Sequence, residues 1–209
     1  MDELRKKETV GDSLCRTKDG SKHVFRCLFR QRANRQRTFD LNSVVENALS
    51  AFPSFTCPDE QSGEHAIRVC RDLQCVPRIR GNAAEVVELV IELLANAIES
   101  LGNEGRLEVR TRPEGRTVIL EIEDTGTGMS DRVLERCLDP FYTTHAPDAA
   151  GLGLSIARAI AERQEGRMEI HSQLGTGTTV RIVFPDAACR MDGDGTKTGG
   201  GGESICTFW

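Results

Sequence analysis

The strand-forming segments of this chain come in adjacent pairs, and no other feature constrains its fold as much. "RLEVRT" and "RTVILEIE" both read as strands, and only a turn at Pro113–Gly115 separates them. Further along, "RMEIHS" and "TTVRIVF" flank the turn "QLGTG". Strands that follow one another across a tight turn predict antiparallel hairpins. They argue against a doubly wound parallel sheet, in which each strand needs a crossover helix before the next.

Helical periods fill the remaining stretches. In "NAAEVVELVIELLANAIESL" (82–101), Val86, Val90, Leu93, Leu94, Ala97 and Leu101 recur on one stripe, and Asn82 stands where an N-cap belongs. "DLNSVVENALSAF" (40–52) reads as a helix capped by Asp40 or Asn42. "SDRVLERCL" reads as a short helix capped by Ser130, and "GLSIARAIAERQ" as a helix ended by Gly166. "HAIRVC" reads as a short strand. One-sided helices beside antiparallel hairpins predict an α+β fold. The expected form is a two-layer α/β sandwich with a mixed, largely antiparallel sheet.

The 209 residues suffice for one good-sized domain with extensions. The expected organisation is a basic arm at 1–37, a compact domain at 38–185 and a Gly-rich tail at 186–209. The arm carries eleven Lys/Arg against five Asp/Glu, a net +6, while the rest carries sixteen against twenty-seven, a net −11. "FRCLFRQRANRQR" mixes apolar and basic residues at helical spacing, which suits a helix packing on something better than a nucleic-acid arm. The tail ends in "ICTFW", read as a short docking peptide or an artefact; its last four residues match the C-a-a-X format with an unusual final Trp. No apolar run reaches the ~18–20 residues that cross a bilayer, and the N-terminus lacks the apolar core of a signal peptide. The expected location is the cytoplasm. Eight scattered cysteines, without a C-x-x-C pair or zinc spacing, read as reduced thiols.

Several residues carry chemistry. Glu92 and Asn96 are four apart on the polar side of the 82–101 helix, so their side chains are neighbours. A carboxylate beside an amide oxygen suits Mg²⁺, which takes hard oxygen ligands and keeps several waters. Glu85, Glu88 and Glu99 read as a solvated helix face. Asp124 ends a strand in "DTGTGM", where a fixed carboxylate can accept from an exocyclic amine such as adenine N6, and Gly126 and Gly128 let the backbone approach a flat base. "DPFYTTH" (139–145) precedes an aperiodic segment that reads as a mobile lid. Phe141 and Tyr142 could anchor the lid or flank the base; Phe141 reads equally as core. Gly151, Leu152, Gly153 and Leu154 open a helix, whose N-terminal amides suit phosphates. Thr178, in "GTGTT", could bond near the adenine.

The ordered set "ELLANAIES", "DTGTGM", "DPFYTTH", "GLGLSIARAI" and "GTGTTVRIVFP" resembles the catalytic, ATP-binding domain of bacterial sensor histidine kinases, in the GHKL superfamily. The resemblance covers about residues 40–185. It implies the GHKL α/β sandwich with ATP under a lid, Asn96 on Mg²⁺, Asp124 on adenine, and Gly126, Gly128, Gly151 and Gly153 shaping the pocket. It implies the cofactors ATP and Mg²⁺, and as partner a histidine-bearing phosphoacceptor domain or a response regulator. Two departures stand out. Many histidine kinases have Asn where this chain has Glu92, which resembles the general base of the superfamily's ATP-hydrolysing and serine-kinase branches. The phosphoacceptor box is also missing: His23, in "SKHVFRCLF", lacks the following acidic residue and Pro. His65, His145 and His171 read as structural or surface residues. The leading expectation is a histidine kinase module acting in trans. The alternatives are an anti-sigma-factor-like serine kinase and a non-catalytic ATP-dependent binding module.

Overall fold

The computed structural model describes residues 37–52, 67–144, 150–188 and, for the backbone, 206–207. The arm expected at 1–37 lies outside them except for Arg37, as do His23, His65, His145 and the centre of the expected lid. The described strands are β1 (Arg37–Phe39), β2 (Ile67–Leu73), β3 (Ile79–Gly81), β4 (Gly105–Glu114), β5 (Thr117–Asp124), β6 (Arg167–Gln173), β7 (Gly177–Pro185) and β8 (Cys206–Thr207). The helices are α1 (Leu41–Ser50), α2 (Ala83–Leu101), α3 (Asp131–Leu134) and α4 (Gly153–Arg163).

Six strands form one sheet in the order β2-β4-β5-β7-β6-β8. β2 and β4 run parallel, and every other neighbouring pair is antiparallel. This is the mixed, largely antiparallel sheet that the paired strands imply. Both expected hairpins form. In the first, the ladder continues to Glu114↔Thr117, so the turn is Gly115–Arg116, with Gly115 at φ 61°, and Pro113 lies inside the strand. β2 ends opposite Thr111, so β4 is an edge beyond that point and tolerates a residue without an N–H. β1 and β3 form a separate antiparallel ribbon that the sequence does not signal, because three residues are too few to display a period.

α2 is the central helix, packing against α1, α4 and the sheet. Its whole predicted stripe is buried, together with Leu89. Asn82 caps it through Ala84 N–H at 3.1 Å, and Asp40 caps α1 through Asn42 N–H at 3.0 Å. Asn42 is therefore no cap; it bonds Gln74 O and the Thr111 hydroxyl. Ser130 precedes α3 without a side-chain capping bond. The left-handed residue that ends α4 is Glu165, at φ 58°, and not Gly166. Gln164 is buried: its amide oxygen accepts from Asn82 N–H at 2.8 Å and its amide nitrogen donates to Glu85 at 2.9 Å. Glu85 also pairs with Arg163. It therefore ties α2 to the end of α4, which corrects its reading as a merely solvated residue.

The sheet's other face carries a charged network beside the buried Ile119 and Val183. Arg110 pairs with Glu108, Glu121 and Glu123, and Arg181 with Glu114 and Glu169. Burial disfavours the Arg110 cation, but its three carboxylate partners outweigh this and raise its pKa. Within "ICTFW", read from the sequence as a docking peptide or an artefact, Cys206–Thr207 pairs with Ile170 and Glu169 of β6. An otherwise unpaired strand edge is a template for such a segment. Among the described residues, no helix is long and apolar enough to cross a membrane.

Candidate functional site

Three rungs cross the helix-facing side of the sheet through β4, β5, β7 and β6. Two are almost wholly apolar: Thr111–Leu120–Ile182–Met168 and Val109–Ile122–Val180–Ile170. The third, at the sheet's end, is Leu107–Asp124–Thr178–Ser172. Alternation along the strands keeps all three on one face. Polar side chains thus stand where the pattern demands apolar ones, beside the C-terminal end of α2.

Asp124 is only 6% exposed. Its Oδ1 accepts from Gly126 N–H at 2.8 Å and from the Ser100 hydroxyl at 3.1 Å. Burial raises its pKa above the ordinary carboxylate value, and Glu123 adds to the rise; the donors Gly126, Ser100 and Thr178 N–H oppose it. A buried carboxylate at a sheet end, held by donors from a turn and a helix, is a fixed acceptor. Gly126 lies directly against Ser100, so the turn after β5 seats on α2. Gly128 has φ 61°, and a Cβ there would fall 2.0 Å from Gln173 O, so no other residue fits.

Glu92, Asn96 and Ser100 follow one another at i, i+4 and i+8 along α2, over about 12 Å. The N-terminus of α4 meets the first two. A Cβ on Gly153 would lie 2.8 Å from Asn96 Nδ2 and 3.0 Å from Glu92 Oε2, so any larger residue would press on these two side-chain ends. Leu152 is the residue before α4, and its carbonyl accepts from Ile156 N–H and the Ser155 hydroxyl. Leu154 packs on the core. Gly151 O accepts from Phe141 N–H at 2.8 Å, which ties the strip after α3 to the start of α4. Phe141 itself is 76% exposed at φ 69°, so it is not core. The Tyr142 ring lies 4.3 Å under the Arg136 guanidinium, and Arg136 also pairs with Asp139. His171 is half-buried in β6, opposite Thr179.

The site therefore has two lobes joined by α2. Asp124 and Gly126 meet Ser100, with Thr178 opposite Asp124 and Gly128 against Gln173 and Gly177, and Gly153 meets Glu92 and Asn96. The donor set suits Mg²⁺. Asn96 Nδ2 is committed to Glu92 O at 2.8 Å, which leaves Oδ1 as the atom for a ligand. Among the described residues, no group of three His, Cys, Asp or Glu could hold a metal. An ion here would depend on one amide oxygen and on phosphate oxygens. Sequence reasoning missed Ser100 and Ser172. Ser100 continues the Glu92–Asn96 spacing by one turn, and Ser172 occupies the inward position after Met168 and Ile170; both signals were present.

A family model described as Histidine kinase-, DNA gyrase B-, and HSP90-like ATPase matches residues 81–188. The chain belongs to this family. As a member of it, the domain uses ATP. The matched segment runs from the start of α2 past β7 and so contains both lobes. The chain is 29% identical, over 75% of its length, to the sensor histidine kinase ZraS of Salmonella typhimurium, of which it covers 32%. It is 26% identical, over 76% of its length, to sporulation kinase B of Bacillus subtilis, of which it covers 36%. The chain thus spans about a third of the length of these curated relatives. Among solved structures, the catalytic domain of histidine kinase ThkA superposes with TM-score 0.62 at 23% identity, over 73% of this chain and 96% of that one. The sensor histidine kinase MprB superposes with TM-score 0.60 at 19% identity, over 72% of this chain and 97% of that one. These likenesses show the α+β sandwich of the GHKL ATPases.

Proposed function

We propose that this chain is the ATP-binding catalytic module of a two-component sensor histidine kinase, working on a phosphoacceptor histidine in another domain or protein. The observation that carries this reading is the approach of Gly153 to Asn96 and Glu92. It sets the free N–H groups of a helix start beside an amide oxygen and a carboxylate, a combination suited to a polyphosphate, its counterion and a proton acceptor.

In this reading Asp124 accepts from the adenine amine, with Thr178 beside it. Gly126 and Gly128 shape the base pocket, Tyr142 flanks it, and the amides of Gly151, Leu152, Gly153 and Leu154 orient the phosphates. Asn96 Oδ1 would be the protein ligand for Mg²⁺, which would supply charge neutralisation to the bound polyphosphate. An imidazole nitrogen of the acceptor histidine attacks the γ-phosphorus. The new P–N bond forms as the β,γ-bridging P–O bond breaks, and ADP leaves. Glu92 takes the imidazole proton. Catalysis then rests on positioning and electrostatics. The response regulator downstream, a cytoplasmic location and a compact domain over 38–185 belong to the same proposal.

Calorimetric titration with a non-hydrolysable ATP analogue, with and without Mg²⁺, tests the site. Binding should be Mg²⁺-dependent, lost in Asp124→Ala and insensitive to Mg²⁺ in Asn96→Ala, with both variants folded. Wild-type binding by either would remove the assignment. Incubation with a histidine-bearing domain and labelled ATP tests the reaction, and should give an acid-labile phosphoprotein. Acid-stable phosphoserine on a partner would assign a serine kinase instead, for which Glu92 would be the base.

A further inference from the structure

We propose that Ser172 sets the purine selectivity of the site, by taking the Thr178 hydroxyl proton and so leaving Thr178 as an acceptor that favours adenine over guanine. The inference rests on the reading that the base lies against Asp124 and Thr178.

A serine hydroxyl has one proton to give and two lone pairs to receive. Three partners surround Ser172 Oγ. Met129 N–H lies at 2.8 Å and can only donate. Gly177 O lies at 3.0 Å and can only accept. Thr178 Oγ1 lies at 2.8 Å and could do either. The first two partners decide the third. Met129 fills one lone pair, and the Ser172 proton goes to the carbonyl of Gly177, a buried residue that would otherwise lose this donor. What remains on Ser172 is a lone pair, so Thr178 must donate to it. The Thr178 oxygen then has only lone pairs to offer elsewhere.

The rung makes this polarity matter. Asp124 is directly opposite Thr178 on the neighbouring strand, and its carboxylate is also an acceptor. Two acceptors side by side match the exocyclic amine of adenine. Guanine carries an oxygen at the same ring position, and would set lone pairs against lone pairs. A site whose polar atoms are committed discriminates more strongly than one whose hydroxyl is free to turn. Ser172 touches no substrate in this scheme; it is a positioning residue acting through Thr178. It also ties the end of the "DTGTGM" turn to β6 through Met129, so its loss could also weaken all nucleotides equally. The test separates these two effects.

The experiment is calorimetry on the purified full chain with non-hydrolysable ATP and GTP analogues, read as the ratio of their dissociation constants. Wild type should prefer the ATP analogue. In Ser172→Ala the Thr178 hydroxyl is free to rotate and donate, and the preference should fall by roughly tenfold. Thr178→Val should lose a similar factor, Thr178→Ser should keep the wild-type ratio, and the double variant Ser172→Ala/Thr178→Val should fall no further than Thr178→Val alone. An unchanged ratio in Ser172→Ala, with both analogues weakened alike, would reduce Ser172 to a structural tie and overturn the proposal. An unchanged ratio in Thr178→Val would overturn it independently, even if Ser172→Ala does not fold. Failure of the wild type to bind the ATP analogue would overturn the underlying site assignment as well, a distinct result.

Discussion

Two neighbouring rungs of one sheet do opposite work. Val109–Ile122–Val180–Ile170 is buried and apolar, and its side chains join the cluster beneath α2. One step along the same strands, Leu107–Asp124–Thr178–Ser172 puts a carboxylate and two hydroxyls on the same face. The inner rung gains stability by excluding water from apolar surface. The end rung gives some of that up, since a buried carboxylate costs free energy even with three donors around it. The contrast shows where this fold accepts a local cost, and the accepted cost points to the candidate site.

The first way to break the comparison is to damage an apolar rung. Ile182 is fully buried between Leu120 and Met168. Ile182→Ala should lower unfolding free energy by about 2–5 kcal/mol in urea titration, while nucleotide affinity of the folded fraction stays unchanged. Full stability in this variant would mean that the rungs do not divide the labour as described.

A smaller effect sharpens the link between the lobes. Gly153→Ala puts a methyl group against Asn96 and Glu92, a clash that costs typically about 1–3 kcal/mol if the helix start must shift. ATP affinity should fall roughly tenfold or more. Thermal stability should fall by no more than that cost, because the clash involves two side-chain ends and no core contact. Unaltered affinity would show that α4 moves aside freely, and that its approach to Asn96 carries no function.

The subtlest expected effect is on pH. Because the folded pKa of Asp124 is raised, its contribution to stability is fully present below the ordinary carboxylate value and is lost as pH rises through the raised one. Nucleotide binding has the opposite sign, since the acceptor is the ionised form: affinity should fall as pH drops through that same window. Thermal melts and titrations across a pH series should therefore show opposed trends. Asp124→Asn should flatten the stability trend and melt above wild type at neutral pH, while binding the nucleotide poorly. Parallel trends would remove Asp124 from the base site.

Much of this was readable along the chain. The two hairpins follow from adjacent strand segments flanking short turns, and α2 from its stripe and its Asn82 cap. The pairing of Glu92 with Asn96 needs only helical spacing. Other features were beyond reach for physical reasons. β1 and β3 are too short to carry a pattern. Phe141 read equally well as core, because a large aromatic is usually buried; a backbone bond to Gly151 and a positive φ hold it outside instead. Glu85 looked like one more solvated glutamate until α4 brought Gln164 and Arg163 to it.

By itself the sequence determined the period of each element, the caps, and the ordered motifs that mark an ATPase of this family, because these depend on neighbours along the chain. Only the tertiary structure decided who stands beside whom. β7 inserts between β5 and β6, so Asp124 joins the hairpin pair Thr178–Ser172 on a rung that no spacing along the chain predicts. α4 crosses α2 with a glycine at the contact, which sets a helix terminus against Asn96. Those adjacencies come from strand order and helix packing, which minimise exposed apolar surface over the whole domain, and the chemistry of the site depends on them.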